Sequence, residues 1–224
     1  MQPGAVQRLS SNTQKYFLVV AGNIGSGKTT LTTKLAERLG WKPHFESVSD
    51  NPYLEDFYAN MDRWSFNLQV YFLTHRFKTH KMIEENCFSS IQDRSIYEDA
   101  HIFARALFEQ GKLSARDYES YQRLYHSMTE FLAPPTLMIF LKRSVPLLMD
   151  RIRQRGREFE KAISPDYIAQ LNDYYHDWYQ SYDAGKALIV DTDDLDFLDN
   201  DLHFNVLLNR IVDCLDQRDL FLHF

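Results

Sequence analysis

At 224 residues with a formal net charge of −6, the chain is long enough for one sizeable α/β core and too acidic to present a broad nucleic-acid-binding face. Its two cysteines, Cys87 and Cys214, lack paired spacing, which excludes a disulfide framework or zinc knuckle and predicts two small buried hydrophobes in a reducing compartment. Neither a signal-peptide pattern nor an apolar run of about 18 residues occurs, so the expectation is a soluble cytoplasmic protein with no membrane and no nucleic-acid partner.

Residues 1–15 show no periodicity and read as a flexible tail, leaving 16–224 as a single domain. An apolar run at 16–21 reads as a first strand, and Leu31, Leu35 and Leu39 mark one face of the helix that follows. Between them lies Gly22-Asn23-Ile24-Gly25-Ser26-Gly27-Lys28-Thr29-Thr30, the pattern G-x-x-x-x-G-K-[ST] in a strand, loop and helix context. Glycines let successive N–H groups converge on an anion where a helix N-terminus adds positive charge. Lys28 would face the terminal phosphates and the Thr29 hydroxyl would hold Mg²⁺. The bland alternative is a glycine-rich turn; the context favours a nucleoside triphosphate site.

Four further apolar runs, at 44–48, 89–93, 136–141 and 188–191, alternate with helical stretches. That alternation predicts an α/β P-loop fold in three layers, with a five-stranded parallel sheet flanked by helices and ligand chemistry at the carboxyl ends of the strands. Glu46 and Asp93 fall at such ends. Residues 54–86 are rich in aromatics, and Phe66, Val70, Leu73 and Phe77 share a helical face suited to core or subunit contact. Gln69, Phe72 and Arg76 line the edge beside it.

Asp93-Arg94-Ser95 ends the third strand and opens a helix continued by Ile102, Phe103, Ala106 and Leu107. There Asp93 can reach Mg²⁺ and Arg94 can neutralise phosphate, the alternative being a helix cap with a surface ion pair. A helix over 115–131 carries Tyr118, Tyr121, Leu124, Tyr125 and Met128 on one stripe, and Pro134-Pro135 precedes the fourth strand. The helix Val145–Arg155 then runs into Arg151, Arg155 and Arg157. Arginines there either complement a helix C-terminus or form a lid over a transferring phosphoryl group. A helix over 166–182 and a last one over 200–215, with Leu202, Val206, Leu207, Ile211 and Leu215 facing inward, complete the chain.

With no Asn-Lys-x-Asp guanine reader and no strand ending in adjacent acids, a GTPase or motor is disfavoured. From residue 16 to 215 the chain resembles the deoxynucleoside kinase family. The motifs that carry the resemblance are the loop Gly22–Lys28, Glu46 in Phe-Glu-Ser-Val, and the series Tyr58, Trp64, Gln69. They continue with Asp93-Arg94-Ser95 and the lid series Arg151, Arg155, Arg157, Glu160. Ser47 departs from the proline common in the family and implies a looser turn after the second strand.

The resemblance implies 5′-phosphorylation of a deoxynucleoside, with ATP as donor and Mg²⁺ as cofactor. Glu46 would accept the proton of the 5′-hydroxyl as it attacks the γ-phosphorus, with Asp93 the rival base or a metal neighbour beside Thr29. Arg94 would hold the 5′-oxygen, and Lys28 with the lid arginines would neutralise charge. Tyr58 and Glu160 would bind the sugar 3′-hydroxyl and Trp64 would wall the base. Gln69, Arg76 and Asp99 would select it, in the order deoxyadenosine, deoxyguanosine, deoxycytidine, since an Arg76–Asp99 pair fills the space of a thymine methyl. Asp196 and Phe197 would lie near the donor adenine. A homodimer paired through helices at 66–77 and 102–108 is also implied. Two other readings are a monophosphate kinase of thymidylate-kinase type, which needs further basic residues for the acceptor phosphate, and a non-catalytic nucleotide-binding module.

Overall fold

The computed structural model describes residues 14–45, 51–157, 160–161 and 163–216. Strand β1 (Phe17–Gly22) is buried along its whole length because both its faces are covered. Leu18 and Val20 point to one side and Phe17, Val19 and Ala21 to the other, so a near-continuous apolar run is what the position requires. Around it pair β2 (Lys42–His44), β3 (Ser90–Asp93), β4 (Leu137–Lys142) and β5 (Ala187–Asp191), in the order β2-β3-β1-β4-β5, all parallel. The register sets Val20 beside Asp93 and Gly22 beside Leu141, which brings the glycine loop level with the end of β3.

On one face lie α1 (Lys28–Leu39) and α8 (Asp201–Asp216), whose Leu31, Leu35, Leu207 and Ile211 are fully buried against β1 and β4. On the other lie α3 (Met61–Glu85), α4 (residues 96–109) and α7 (Pro165–Ser181), packing Ile83, Ile102, Leu171 and Trp178 on Val19 and Phe140. Outside them α5 (Ala115–Thr129) buries Tyr121 against Leu73, Ile96 and Ala104. The helix α6 (Val145–Arg155) buries Leu148 and Ile152 against Ile168.

The stretch at 54–86 is two helices, α2 (Leu54–Ala59) and α3, because Asn60 leaves helical geometry and its side chain caps α3 by accepting from Arg63 N. Within α4 the segment Asp99–Ala104 is π-helical, a distortion that recurs where helices place functional side chains.

Several expectations are corrected. Leu202 and Val206 are 75% and 54% exposed; the inward stripe of α8 runs through Phe204, Leu208 and Val212. Cys87 is exposed and Cys214 half-buried. Lys15, counted with the tail, is anchored: its ammonium donates to the carbonyls of Ile83, Glu84 and Asn86 at the end of α3. The 102–108 stripe offers little pairing surface, since Ile102, Ala104, Ala106 and Leu107 are consumed by the chain's own core. Among the described residues no helix is long and apolar enough to cross a membrane.

Candidate active site

At the carboxyl end of β1 the chain turns through Gly22, Gly25 and Gly27, all at positive φ. The crowding is severe: a Cβ on Gly22 would sit 2.8 Å from the Leu141 carbonyl oxygen, and one on Gly25 would sit 2.8 Å from that of Leu148. The loop is held from behind by Asn23, whose amide donates to the Ile168 carbonyl (2.9 Å) and to Asn172 Oδ1 (2.7 Å) while its own Oδ1 accepts from Ile24 N. Lys28, buried at the head of α1, donates to the carbonyls of Gly22 (2.7 Å) and Asn23 (2.9 Å), which leaves its ammonium lying inside the loop. Ser26 is fully buried, with its hydroxyl unpartnered among the described residues, and Thr30 is exposed beyond the loop.

Thr29 Oγ1 donates to Asp93 Oδ2 at 2.5 Å, so the first helical hydroxyl and the carboxylate ending β3 stand side by side. Two hard oxygen donors next to a phosphate loop suit Mg²⁺, which takes few protein ligands and completes its shell with phosphate and water. Arg94 follows with φ 66, an unusual conformation for a side-chain-bearing residue, and its guanidinium lies 4.2 Å over the Phe103 ring.

These groups open into a cavity of about 880 Å³, within the range of small-molecule sites. Lys28, Thr29, Asp93 and Arg94 line it, as do Tyr58, Gln69, Asp99, Arg155, Arg157 and Glu160. Arg76 stands behind Asp99, its Nε 3.3 Å from Asp99 Oδ2 and its Nη1 3.4 Å from the Asp93 carbonyl oxygen; both side chains of the ion pair are only 3% exposed. Two turns earlier on α3, about 10 Å away at 1.5 Å per residue, Gln69 is buried with its Oε1 unpartnered among the described residues. A buried amide oxygen in that state fits an incoming N–H donor. Tyr167 also lines the cavity, and burial, with Tyr58 nearby, pushes its phenol up to about 12, so it stays a neutral donor.

Glu160 is held by the arginines at the end of α6 and just beyond it: Arg155 Nε and Nη2 lie 3.0 and 2.6 Å from its two oxygens, and Arg157 Nη1 is 3.5 Å away. The acid amid the arginines thus offsets part of their charge and remains a cavity wall. Arg151 is half-buried and does not line the cavity.

Trp64 does not line it either; it packs 5.9 Å from Tyr53 with Arg63 over its face, and Phe57, Phe72 and Phe103 supply the aromatic walls. Phe197 is fully buried beneath the loop, its ring edge 3.2 Å from where a Gly27 Cβ would stand, so it supports the phosphate loop from the core side rather than facing a nucleotide. Asp196 is exposed and accepts from Leu198 N and Asp199 N in the turn before α8. Glu46, with Ser47 and Val48, lies outside the described residues.

Sequence reasoning missed Glu98, which is fully buried and accepts from Gly22 N (3.2 Å), Ser95 N (3.0 Å) and Tyr175 OH (2.7 Å). Burial pushes its carboxyl above the ordinary range, against the opposing pull of Lys28, Arg94 and the hydrogen bonds from Tyr175 and Gly22. The spacing Ser95-x-x-Glu98 signals a helix cap, and no local pattern announces the partner on β1.

Residues 18–216 match the sequence model of the family described as deoxynucleoside kinase. The chain is 40% identical over 197 residues to the deoxyadenosine/deoxycytidine kinase of Bacillus subtilis, covering 87% of this chain and 91% of that one. It is 38% identical to the deoxyguanosine kinase of the same organism, over 84% of this chain and 92% of that one. Among solved structures, the deoxyadenosine kinase of M. mycoides with bound dCTP superposes with a TM-score of 0.76 at 28% identity, over 88% of this chain and 99% of that one.

Proposed function

Because the chain belongs to the deoxynucleoside kinase family, we propose that it phosphorylates a deoxynucleoside at the 5′-hydroxyl with ATP as donor, favouring deoxyadenosine, then deoxyguanosine, then deoxycytidine. One observation carries this reading: a single cavity joins Lys28, Thr29, Asp93 and Arg94 to Gln69 and Asp99, with Arg76 directly behind. The first group suits a phosphoryl group and the second the edge of a base.

In this reading the loop amides and Lys28 hold the donor phosphates, with Lys28 released from the Gly22 and Asn23 carbonyls it contacts. Arg94 orients the 5′-oxygen, and Arg155 and Arg157 close over the transferring group. Glu46 takes the proton of the attacking hydroxyl; Asp93, already bonded to Thr29, is kept for the metal side. Mg²⁺, held by Thr29 and Asp93, would draw charge from the phosphate oxygens. The unpartnered Gln69 oxygen accepts from the exocyclic amine of adenine or cytosine, and the Arg76–Asp99 pair leaves no room for a thymine methyl. Tyr58 and Glu160 hold the 3′-hydroxyl, and Asp196 lies toward the donor base.

The reading extends to one cytoplasmic kinase domain that pairs as a homodimer. Half-buried Phe66 and Val70 on α3, with exposed Leu124 and Phe131 along and beyond α5, supply apolar surface for it.

The test is transfer of labelled phosphate from ATP to each of the four deoxynucleosides and to deoxyadenosine monophosphate. Label in the monophosphate, greatest with deoxyadenosine, is expected. Label only in a diphosphate would make the chain a monophosphate kinase instead.

A further inference from the structure

Glu98 is a fully buried carboxylate that phosphoryl transfer, as described above, leaves without a task. Gly22 N and Tyr175 OH donate to its Oε1, and Ser95 N donates to its Oε2. The two backbone amides can only donate, whereas the Tyr175 hydroxyl can donate or accept, so the bridge to Gly22 and Ser95 needs the two carboxyl oxygens as acceptors. A helix cap at the surface needs no buried charge, so the placement is explained by what the carboxylate joins. Gly22 opens the phosphate loop, and Ser95 follows Arg94, whose φ of 66 has to be held by its surroundings. The ladder between β1 and β3 ends at Val20 and Asp93, two residues short of Gly22. Beyond that point Glu98 bridges the two segments, braced by Tyr175 of α7.

We propose that Glu98 is a positioning residue that locks the phosphate loop and the Arg94 turn in one register, so that Lys28 and Arg94 address the same phosphoryl group. This rests on the roles given above to Lys28 and Arg94. Glutamine at this position would set one amide N–H₂ against a donating Gly22 or Ser95, breaking one side of the bridge while keeping shape. Phenylalanine at position 175 would remove the brace and leave both loop bonds.

The experiment compares Glu98→Gln, Tyr175→Phe and Lys28→Ala with the wild type for kcat, for KM toward ATP and deoxyadenosine, and for melting temperature. Glu98→Gln should lower kcat by at least about tenfold with the deoxyadenosine KM within about threefold of wild type, the mark of an interaction used in the transition state. Tyr175→Phe should show the same pattern at about threefold, and it decides the matter if Glu98→Gln does not fold. A kcat within about twofold of wild type for Glu98→Gln, or for Tyr175→Phe where only that variant folds, would overturn the proposal, as would raised KM values at unchanged kcat. Full turnover by Lys28→Ala would instead overturn the reading of the phosphate loop, and this inference with it.

Discussion

At the end of the cavity proposed to hold phosphate, one unbroken stretch, residues 22–30, supplies the glycine loop, Lys28 and the Thr29 hydroxyl, and the sheet register brings Asp93 to meet it. At the end proposed to take the base, Gln69 and Arg76 share one edge of α3, Asp99 comes from the π-helical segment within α4, and nothing local links it to them. The first end is built from backbone conformation and a parallel sheet, the second from the packing of long helices. That difference teaches where each kind of change will be felt. Damage to the loop should lower turnover for every substrate alike, whereas damage to the helices should change which substrate is taken.

The largest expected effect belongs to the phosphate end. Lys28→Ala should lower kcat by about a thousandfold with all accepted deoxynucleosides, measured as initial rates at saturating ATP. Equal rates in variant and wild type would contradict a role for Lys28 in phosphoryl transfer. Asp93→Asn should cost about a hundredfold and raise the Mg²⁺ needed for half-maximal rate, while a loss without any change in Mg²⁺ dependence would point to a base rather than a metal neighbour.

Arg76→Met sharpens the other side. It leaves Asp99 buried without its cation, a loss of about 3–5 kcal/mol in comparable pairs, so the melting temperature should fall by on the order of 10 °C. An unchanged melting temperature would mean that Asp99 is neutral or finds another partner. The smallest effect is global. Burial lowers the pKa of His44, His80 and His101 below 6.5, so each prefers to be neutral when folded. The unfolded chain then binds more protons near and below pH 6.5, and the stability these groups contribute is lost as pH falls through that value toward their folded pKa values. Calorimetry should therefore show a lower melting temperature at about pH 5.5 than at about pH 7.5, and a flat profile would contradict the assignment.

The same contrast governs what the sequence made legible. The glycine loop, four of the five strands and the flanking helices follow from contiguous patterns and lie within a residue or two of expectation; the second strand, expected at 44–48, is instead Lys42–His44, sharing only His44, because it is short and only partly buried. Arg76 and Asp99 were foreseen as a pair through the family resemblance, and they meet as such. Glu98 was not foreseen because its decisive partner, Gly22, lies 76 positions away and is a backbone amide. Phe197 looks in sequence like a loop aromatic free to stack on a nucleotide, yet Gly27 leaves a hollow that its ring fills from the core. On α8 two apolar stripes compete, and Asn200, which accepts from Leu202 N and His203 N, starts the helix so that Phe204 and Leu208 turn inward while Leu202 faces water.

That the base end chooses and the phosphate end drives is tested most directly by kcat/KM for deoxyadenosine and for thymidine in the double variant Arg76→Met/Asp99→Ala and in Arg155→Ala. Removing both members of the pair avoids stranding a buried charge. The expected result is that the double variant shifts the deoxyadenosine to thymidine ratio by at least about a hundredfold toward thymidine, while Arg155→Ala lowers both values and leaves their ratio unchanged. A ratio that stays fixed in the double variant, or moves as far in Arg155→Ala, would contradict the division.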